Sequence, residues 1–437
     1  MEEDKITIGE NLKKIRKDLN LRQYQLAGDQ ITRNLISLIE NDRTPIYYNV
    51  ANIISKNINK IIHEKGMDIY IQPEDILNPD RYEARKRANV YIDKIKHHLI
   101  EKNYEFNIEE LNEIETFLNK WNFIDKKVKA YELLGDIYYN AKDSNKEYYY
   151  YLKSLEVSYE YPYMKERYKI ILKLVYNCIV TEKFDEAIRL CNFALSTQDD
   201  IPYKYKGIFY YNSGLAYYHK KDYSRCLDEL IYAKYYINFD DYREIKRILM
   251  LEGICNSQIE NYDGALRNYN KLLKIIEDFD DPEEMCLIYI NIMQTYTHKE
   301  CREEVEKYHV KVIDYLEIID KDSSYLPEIL FGLSEIYYFL EEYDSYEKYL
   351  NKALELSKNN EEINSFQDIF LKLMDFYIET EQIDKINLLA KNYRTQIYNI
   401  EMTKDFAIIL KILYNFIEQN DNLETKNLIE NLLNREV

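Results

Sequence analysis

Residues 211–236 read YNSGLAYYHKKDYSRCLDELIYAKYY. Gly214 and Tyr217 fall on one helical face, a short polar run follows, and Cys226 and Ala233 place small residues along a second segment. This predicts two helices joined by a tight turn. Moving outward, Gly135 and Tyr138 open an earlier unit, Gly253 a later one, and Tyr296, Tyr337 and Tyr377 mark three more. The positions equivalent to Cys226 are Glu147, Ala187, Ala265, Val305, Tyr346 and Ile386. Consecutive separations along these seven are 40, 39, 39, 40, 41 and 40. A constant period of this size is the mark of a tandem array of helix pairs. One pair cannot bury its own apolar face, so neighbours stack and leave a concave groove.

Composition supports helices and little else. The chain has 437 residues with 9 Gly and 7 Pro; Gly is thus near 2%, against an average of about 7%. That leaves no glycine-rich phosphate loop and no glycine-fingerprint dinucleotide fold. No window of eighteen residues lacks a charge, so no membrane span is expected. The opening MEEDKITIGE is acidic and lacks the basic start and apolar stretch of a signal peptide. The six Cys (178, 191, 226, 255, 286 and 301) are widely spaced with no CxxC pair, as expected of reduced core thiols in a cytoplasmic protein. His298 and Cys301 are three apart, but two ligands do not make a zinc site. With no GxSxG, HExxH or P-loop motif, no enzyme, metal or cofactor is expected.

The net charge of -19 conceals a division. Residues 1–102 carry 18 Lys and Arg against 16 Asp and Glu, whereas residues 103–437 carry 41 against 62. The acidic part repels phosphate, so any contact with nucleic acid falls to the first segment. There Ile8, Leu12, Ile15 and Leu19 share one helical face. Leu26 and Ala27 anchor a second helix. Thr32 is placed to cap a third, Arg33 to Glu40, with Ile36 and Ile39 inward and Arg33, Asn34 and Ser37 outward. Asn41-Asp42 ends it, and Pro45 bars continuation. Two further short helices are expected near Val50–Ser55 and Asn57–Lys65. Arg16 and Glu40 read as an ion pair between helices.

This stretch, IGENLKKIRKDLNLRQYQLAGDQITRNLISLIENDRTPI, resembles the helix-turn-helix of the Xre/Cro-type repressor family. The matching positions are Arg16, Leu21-Arg22-Gln23, Leu26-Ala27, Thr32-Arg33, Ile36-Ser37, Ile39-Glu40 and Pro45. Asp42 stands where the family usually has Gly, and Leu38 where it often has Gln, Arg or Lys. The resemblance implies duplex DNA binding, with the third helix in the major groove. Arg33 would pair with guanine and Asn34 with adenine, each worth roughly 1–3 kcal/mol of discrimination. Thr32 and Ser37 lie on the same face, and Gln23 and Arg43 would hold phosphates.

The repeats resemble tetratricopeptide repeats of lengthened period. Together the two parts resemble the peptide-pheromone-sensing regulators of Gram-positive bacteria, the Rap/NprR/PlcR/PrgX/Rgg group. The fold implied is all-α: a five-helix helix-turn-helix bundle over 1–66, a linker with an irregular first helix pair over 67–125, and a right-handed superhelix of tetratricopeptide-like pairs over 126–437. The segment 420–434 would cap it. The resemblance also implies a homodimer on an inverted-repeat operator and a short signalling peptide in the groove. Asn clamps suit a peptide because an amide both donates and accepts. Asn212 and Asn291 hold the same place in their repeats, Asn177 lies one helical turn further along, and Gln294 follows Asn291 by three. Arg247, in a basic island with Arg243 and Lys246, would meet a peptide carboxylate. Two rival readings are a scaffold that binds a folded partner such as a response regulator, and a constitutive repressor without a peptide ligand.

Overall fold

The computed structural model describes residues 6–67, 69–161, 164, 166–197, 200–238, 241–276, 281–357 and 363–393. Among these the chain is all-α, with 21 helices. It divides into two compact units, Met1–Asn238 and Phe239–Val437.

The first unit begins with α1 (Ile8–Asp18), α2 (Gln23–Ala27), α3 (Arg33–Glu40), α4 (Tyr48–Glu64) and α5 (Pro73–Leu77). Thr7 caps α1 in a capping box with Glu10. The expected two short helices after Pro45 are one: Ala51, Ile54, Ile58 and Ile62 form an unbroken buried stripe along α4. Asn57, in mid-helix, uses its amide to donate to the carbonyls of Leu26 and Ala27, both at 3.0 Å, which satisfies the end of α2. The extended piece after α4 is pinned by Asn59, whose amide donates to Ile71 O at 2.7 Å and accepts from Ile71 N at 2.8 Å. Ile71, Ile76 and Tyr82 share the core of Leu12, Ile15, Leu26, Ile36 and Ile39, so the bundle's core continues past residue 66.

Four helix pairs complete this unit: α6 (Pro79–Ile100) with α7 (Ile108–Trp121), α8 (Ile124–Asn140) with α9 (Ser144–Ser158), α10 (Arg167–Val180) with α11 (Phe184–Ser196), and α12 (Tyr203–His219) with α13 (Tyr223–Tyr236). The second unit has four more: α14 (Tyr242–Gln258) with α15 (Tyr262–Ile276), α16 (Pro282–His298) with α17 (Arg302–Leu316), α18 (Leu326–Phe339) with α19 (Tyr343–Ser357), and α20 (Ile363–Glu379) with α21 (Ile383–Asn392). The segment 420–434 lies outside the described residues.

Every first helix stops in the same way. Lys102, Lys142, Glu182, Lys221, Glu260, Glu300, Glu341 and Glu381 all have φ between 53° and 64°, the left-handed region. The next residue's N–H returns to a carbonyl five residues back, as in Asp143 to Tyr138 (3.0 Å), Asp222 to Tyr217 (2.9 Å), Cys301 to Tyr296 (3.0 Å) and Gln382 to Tyr377 (2.8 Å). This is the Schellman stop. From Lys142 onward these residues stand five before the positions whose spacing defined the period. The recurring Tyr is therefore the residue whose carbonyl closes five of these eight turns, with His98, Cys178 and Asn256 in its place at the other three. None of the eight is Gly, although Gly adopts this conformation at least cost.

Candidate functional site

The bundle holds α3 rigidly from behind. Ile36 and Ile39 are buried, while Thr32, Arg33 and Asn34 are exposed at its start and Ser37 is half-buried. Thr32 Oγ1 accepts from Leu35 N at 3.2 Å, the cap expected from its position. Behind α3, Arg16 donates to both oxygens of Glu40 at 2.5 and 2.9 Å and to Leu21 O at 3.1 Å. The hydrogen bond to Glu40 raises the Arg16 pKa. Gln23 corrects its expected role. Its amide donates to Glu40 at 2.8 Å, which makes it a member of this internal network rather than an outward phosphate clamp. Arg43 is exposed after α3, at the rim of a cavity of about 360 Å³ shared with Gly9, Asp42 and Pro45.

Asp42 does more than tolerate a left-handed backbone at φ 55°. Its carboxylate accepts from Thr7 Oγ1 at 2.6 Å and from Gly9 N at 3.2 Å, tying the end of α3 to the start of α1. A negative group there suits the helix dipole. Sequence reading also passed over Tyr24, Tyr47 and Tyr48, large aromatics left exposed on α2 and at the start of α4. A Tyr that follows Pro45 but precedes the first buried residue of α4 has no core position to fill, and that was the available signal.

In the repeats, the turn residue supplies a common reference. Lys173, Asn212, Asn291 and Lys372 each stand nine residues before it. In α10 this position is held by an ion. Lys173 donates to Glu132 at 2.9 Å and Asp136 at 2.7 Å, Lys129 donates to Glu132 at 3.0 Å, and Tyr151 donates to Asp136 at 2.7 Å. Burial pushes the Glu132 carboxyl up, but Lys173 and Lys129 outweigh it and hold it below the usual range. Asn212 is half-buried, and its side chain makes no hydrogen bond among the described residues.

Asn177 is a second correction. It is 1% exposed and donates to Ser144 O at 3.0 Å. It stands five residues before its turn, in register with Ile137, Ala216, Cys255, Thr295 and Ile336, all fully buried. One helical turn of four residues rotates by about 40° beyond a full circle, enough to carry Asn177 from the groove into the core.

In the second unit Asn291 and Gln294 come together. With Ser257, Gln258, Thr297 and Glu335 they line a cavity of about 270 Å³ between α14, α16 and α18, over the ring of Tyr269. The side chains of Gln258 and Gln294 make no hydrogen bond among the described residues. The Asn291 amide donates to Leu287 O at 2.8 Å in its own helix. Glu335 is paired with Lys372 at 3.2 Å. Gln258, which sequence reading missed, stands two residues before its turn, as His298 does in the next repeat. Arg247 does not line this cavity. It is exposed and faces Glu244 at 3.5 Å in its own helix, and Lys246 is drawn to Glu284 at 2.5 Å. The basic island is thus largely neutralised locally.

The site offers hydrogen bonds rather than a nucleophile. Among the described residues no three His, Cys, Asp or Glu converge in a metal-holding group. Burial pushes the Cys178 thiol up to about 11 and the Cys286 thiol to about 12, which leaves both unreactive near neutrality. No helix among them is long and apolar enough to cross a membrane.

No family model matches the chain, and no curated protein matches it. Solved structures do. The apo form of RapI is 15% identical, covers 62% of this chain and 98% of its own, and has a TM-score of 0.48. NprR in complex with its cognate peptide NprX is 16% identical, with coverages of 79% and 98% and a TM-score of 0.46. Aspartyl phosphate phosphatase F from Bacillus subtilis is 12% identical, with coverages of 90% and 94% and a TM-score of 0.49.

Proposed function

We propose that the chain is a DNA-binding transcriptional regulator whose N-terminal bundle reads an operator and whose repeats sense a short signalling peptide and dimerise. The observation that carries this reading is α3: a helix anchored by Ile36, Ile39 and the Arg16–Glu40 pair, with Arg33 and Asn34 exposed at its N-terminal end. A rigid helix that aims its first turn outward is what major-groove reading requires. Thr32, Ser37 and Arg43 flank that turn and would contact the backbone. One such unit covers about one half-site, so useful affinity calls for a homodimer on an inverted repeat. Asn291 and Gln294, joined by Gln258, offer uncharged donors and acceptors suited to an extended peptide backbone, and Asn212 offers the same chemistry in the first unit.

The test is a gel shift with the DNA upstream of the chain's own gene. Wild type should bind with sequence preference, and Arg33→Ala should lose roughly tenfold or more in affinity, the equivalent of one bidentate base contact. Equal binding by the two proteins to any duplex removes the reading. For the ligand, a pool of host-derived peptides should raise the melting temperature of wild type and leave that of Asn291→Ala/Gln294→Ala unchanged.

A further inference from the structure

One buried ionic cluster joins the bundle to the first helix pairs, and neither DNA reading nor groove chemistry uses it. Asp75, in the middle of α5, is 0% exposed. Its carboxylate pairs with Arg81 through one oxygen and with Arg85 through the other, the latter at 2.8 Å. Arg85 also donates to both oxygens of Asp125 in α8 at 2.8 Å. Arg81 donates to Trp121 O at 3.0 Å and Asn122 O at 3.1 Å, just before α8. The Phe123 ring lies 4.8 Å from each guanidinium. On the other side, the backbone carbonyls of Asp75 and Ile76 accept from Asn11 of α1 at 2.8 and 2.9 Å. The chain of bonds thus runs from α1 through α5 and α6 to α8.

Stability alone does not account for this arrangement. A buried ion pair is commonly no more stabilising than an apolar cluster of the same volume. Here Arg85 Nε is also buried with no acceptor among the described residues, which adds a cost. What a planar guanidinium held between two carboxylates provides is direction, because its donors point in fixed directions within one plane. A greasy contact would allow sliding.

We propose that Arg81 and Arg85 are positioning residues that fix the orientation of the helix-turn-helix bundle on α6–α8, so that Arg33 and Asn34 move with these first helix pairs as one body. This rests on the DNA reading for its purpose but not for its test. The experiment uses the full chain with Cys301→Ser and spin labels at Gln30→Cys and Glu156→Cys, both exposed. The remaining five cysteines are buried. Pulsed dipolar spectroscopy should give one narrow distance, retained in Arg33→Ala. Asp125→Asn, which keeps the side chain's shape, should broaden it while circular dichroism stays that of the folded helices. Arg85→Lys, which keeps the charge but lacks the planar fork that holds Asp75 and Asp125 in fixed directions, should do the same. A narrow distance in both folded variants overturns the proposal. So does loss of folding in both, since the network would then serve the fold and not the orientation. A wild type that binds no duplex refutes the DNA reading and leaves the distance result standing.

Discussion

Two first helices, α10 in the first unit and α16 in the second, share one backbone frame and line it differently. Nine residues before the turn, α10 has Lys173, closed on Glu132 and Asp136. There α16 has Asn291, beside the side-chain amides of Gln258 and Gln294, which make no hydrogen bond among the described residues. A charged lining satisfies itself, because each ion that leaves water needs a counter-ion. A lining of amides can remain open at lower cost. The lesson is that repeat position tells where a side chain lies, and its neighbours one repeat away decide whether it is available.

The largest effect should come from the shared frame. Gly135 and Gly253 each stand seven residues before their turns, and a Cβ there would lie 2.3 and 2.4 Å from the rings of Tyr151 and Tyr269. Gly214 holds the same place, but Leu230 replaces the Tyr and the nearest atoms are at 3.4 Å. Denaturant titration should show Gly135→Ala and Gly253→Ala each losing about 1–3 kcal/mol by overpacking. Gly214→Ala should gain up to about 1 kcal/mol from helix propensity. Equal losses at all three would break the shared frame.

Next comes the charged lining. Lys173→Met leaves Glu132 and Asp136 without their shared cation and should cost about 2 kcal/mol at neutral pH. Glu132 titrates below its unfolded value, so its contribution is complete above about pH 4 and fades as pH falls through the lower folded value. The loss caused by Lys173→Met should therefore shrink in acid. A loss independent of pH would mean the Lys stem, not its charge, matters. A smaller change of opposite sign is expected at the turns. Glu260→Gly or Glu341→Gly should stabilise by about 0.5–1 kcal/mol, since a β-carbon in the left-handed region is disfavoured. The smallest belongs to the amide lining: Asn291→Ala and Gln294→Ala should change stability by under about 0.5 kcal/mol, as surface sites do. A larger loss would make that lining structural, like its charged counterpart.

Much of the frame could be read from the residues. The period gave the helix pairs, and Thr32, Ile36 and Ile39 gave the orientation of α3. What escaped were features set by partners far along the chain. Asn177, one helical turn beyond the place of Asn291, looked groove-facing but lies in the register of Ile137 and Ala216. Gln23 looked outward but is turned to Glu40, seventeen residues on. Asp75, Arg81, Arg85 and Asp125 drew no reading within the linker, because nothing local shows that it will be buried. Asp42 looked like a stand-in for Gly until its carboxylate was seen capping α1.

The identical stop at the end of every first helix bears on how such a chain lengthens. Because each hairpin begins and ends on the same backbone geometry, a cassette of about one period, cut from one left-handed residue to the next, carries both of its splice points with it. Duplication or deletion of such a cassette keeps the backbone register of all that follows, which leaves only the side-chain pairs across the new junction to be refitted.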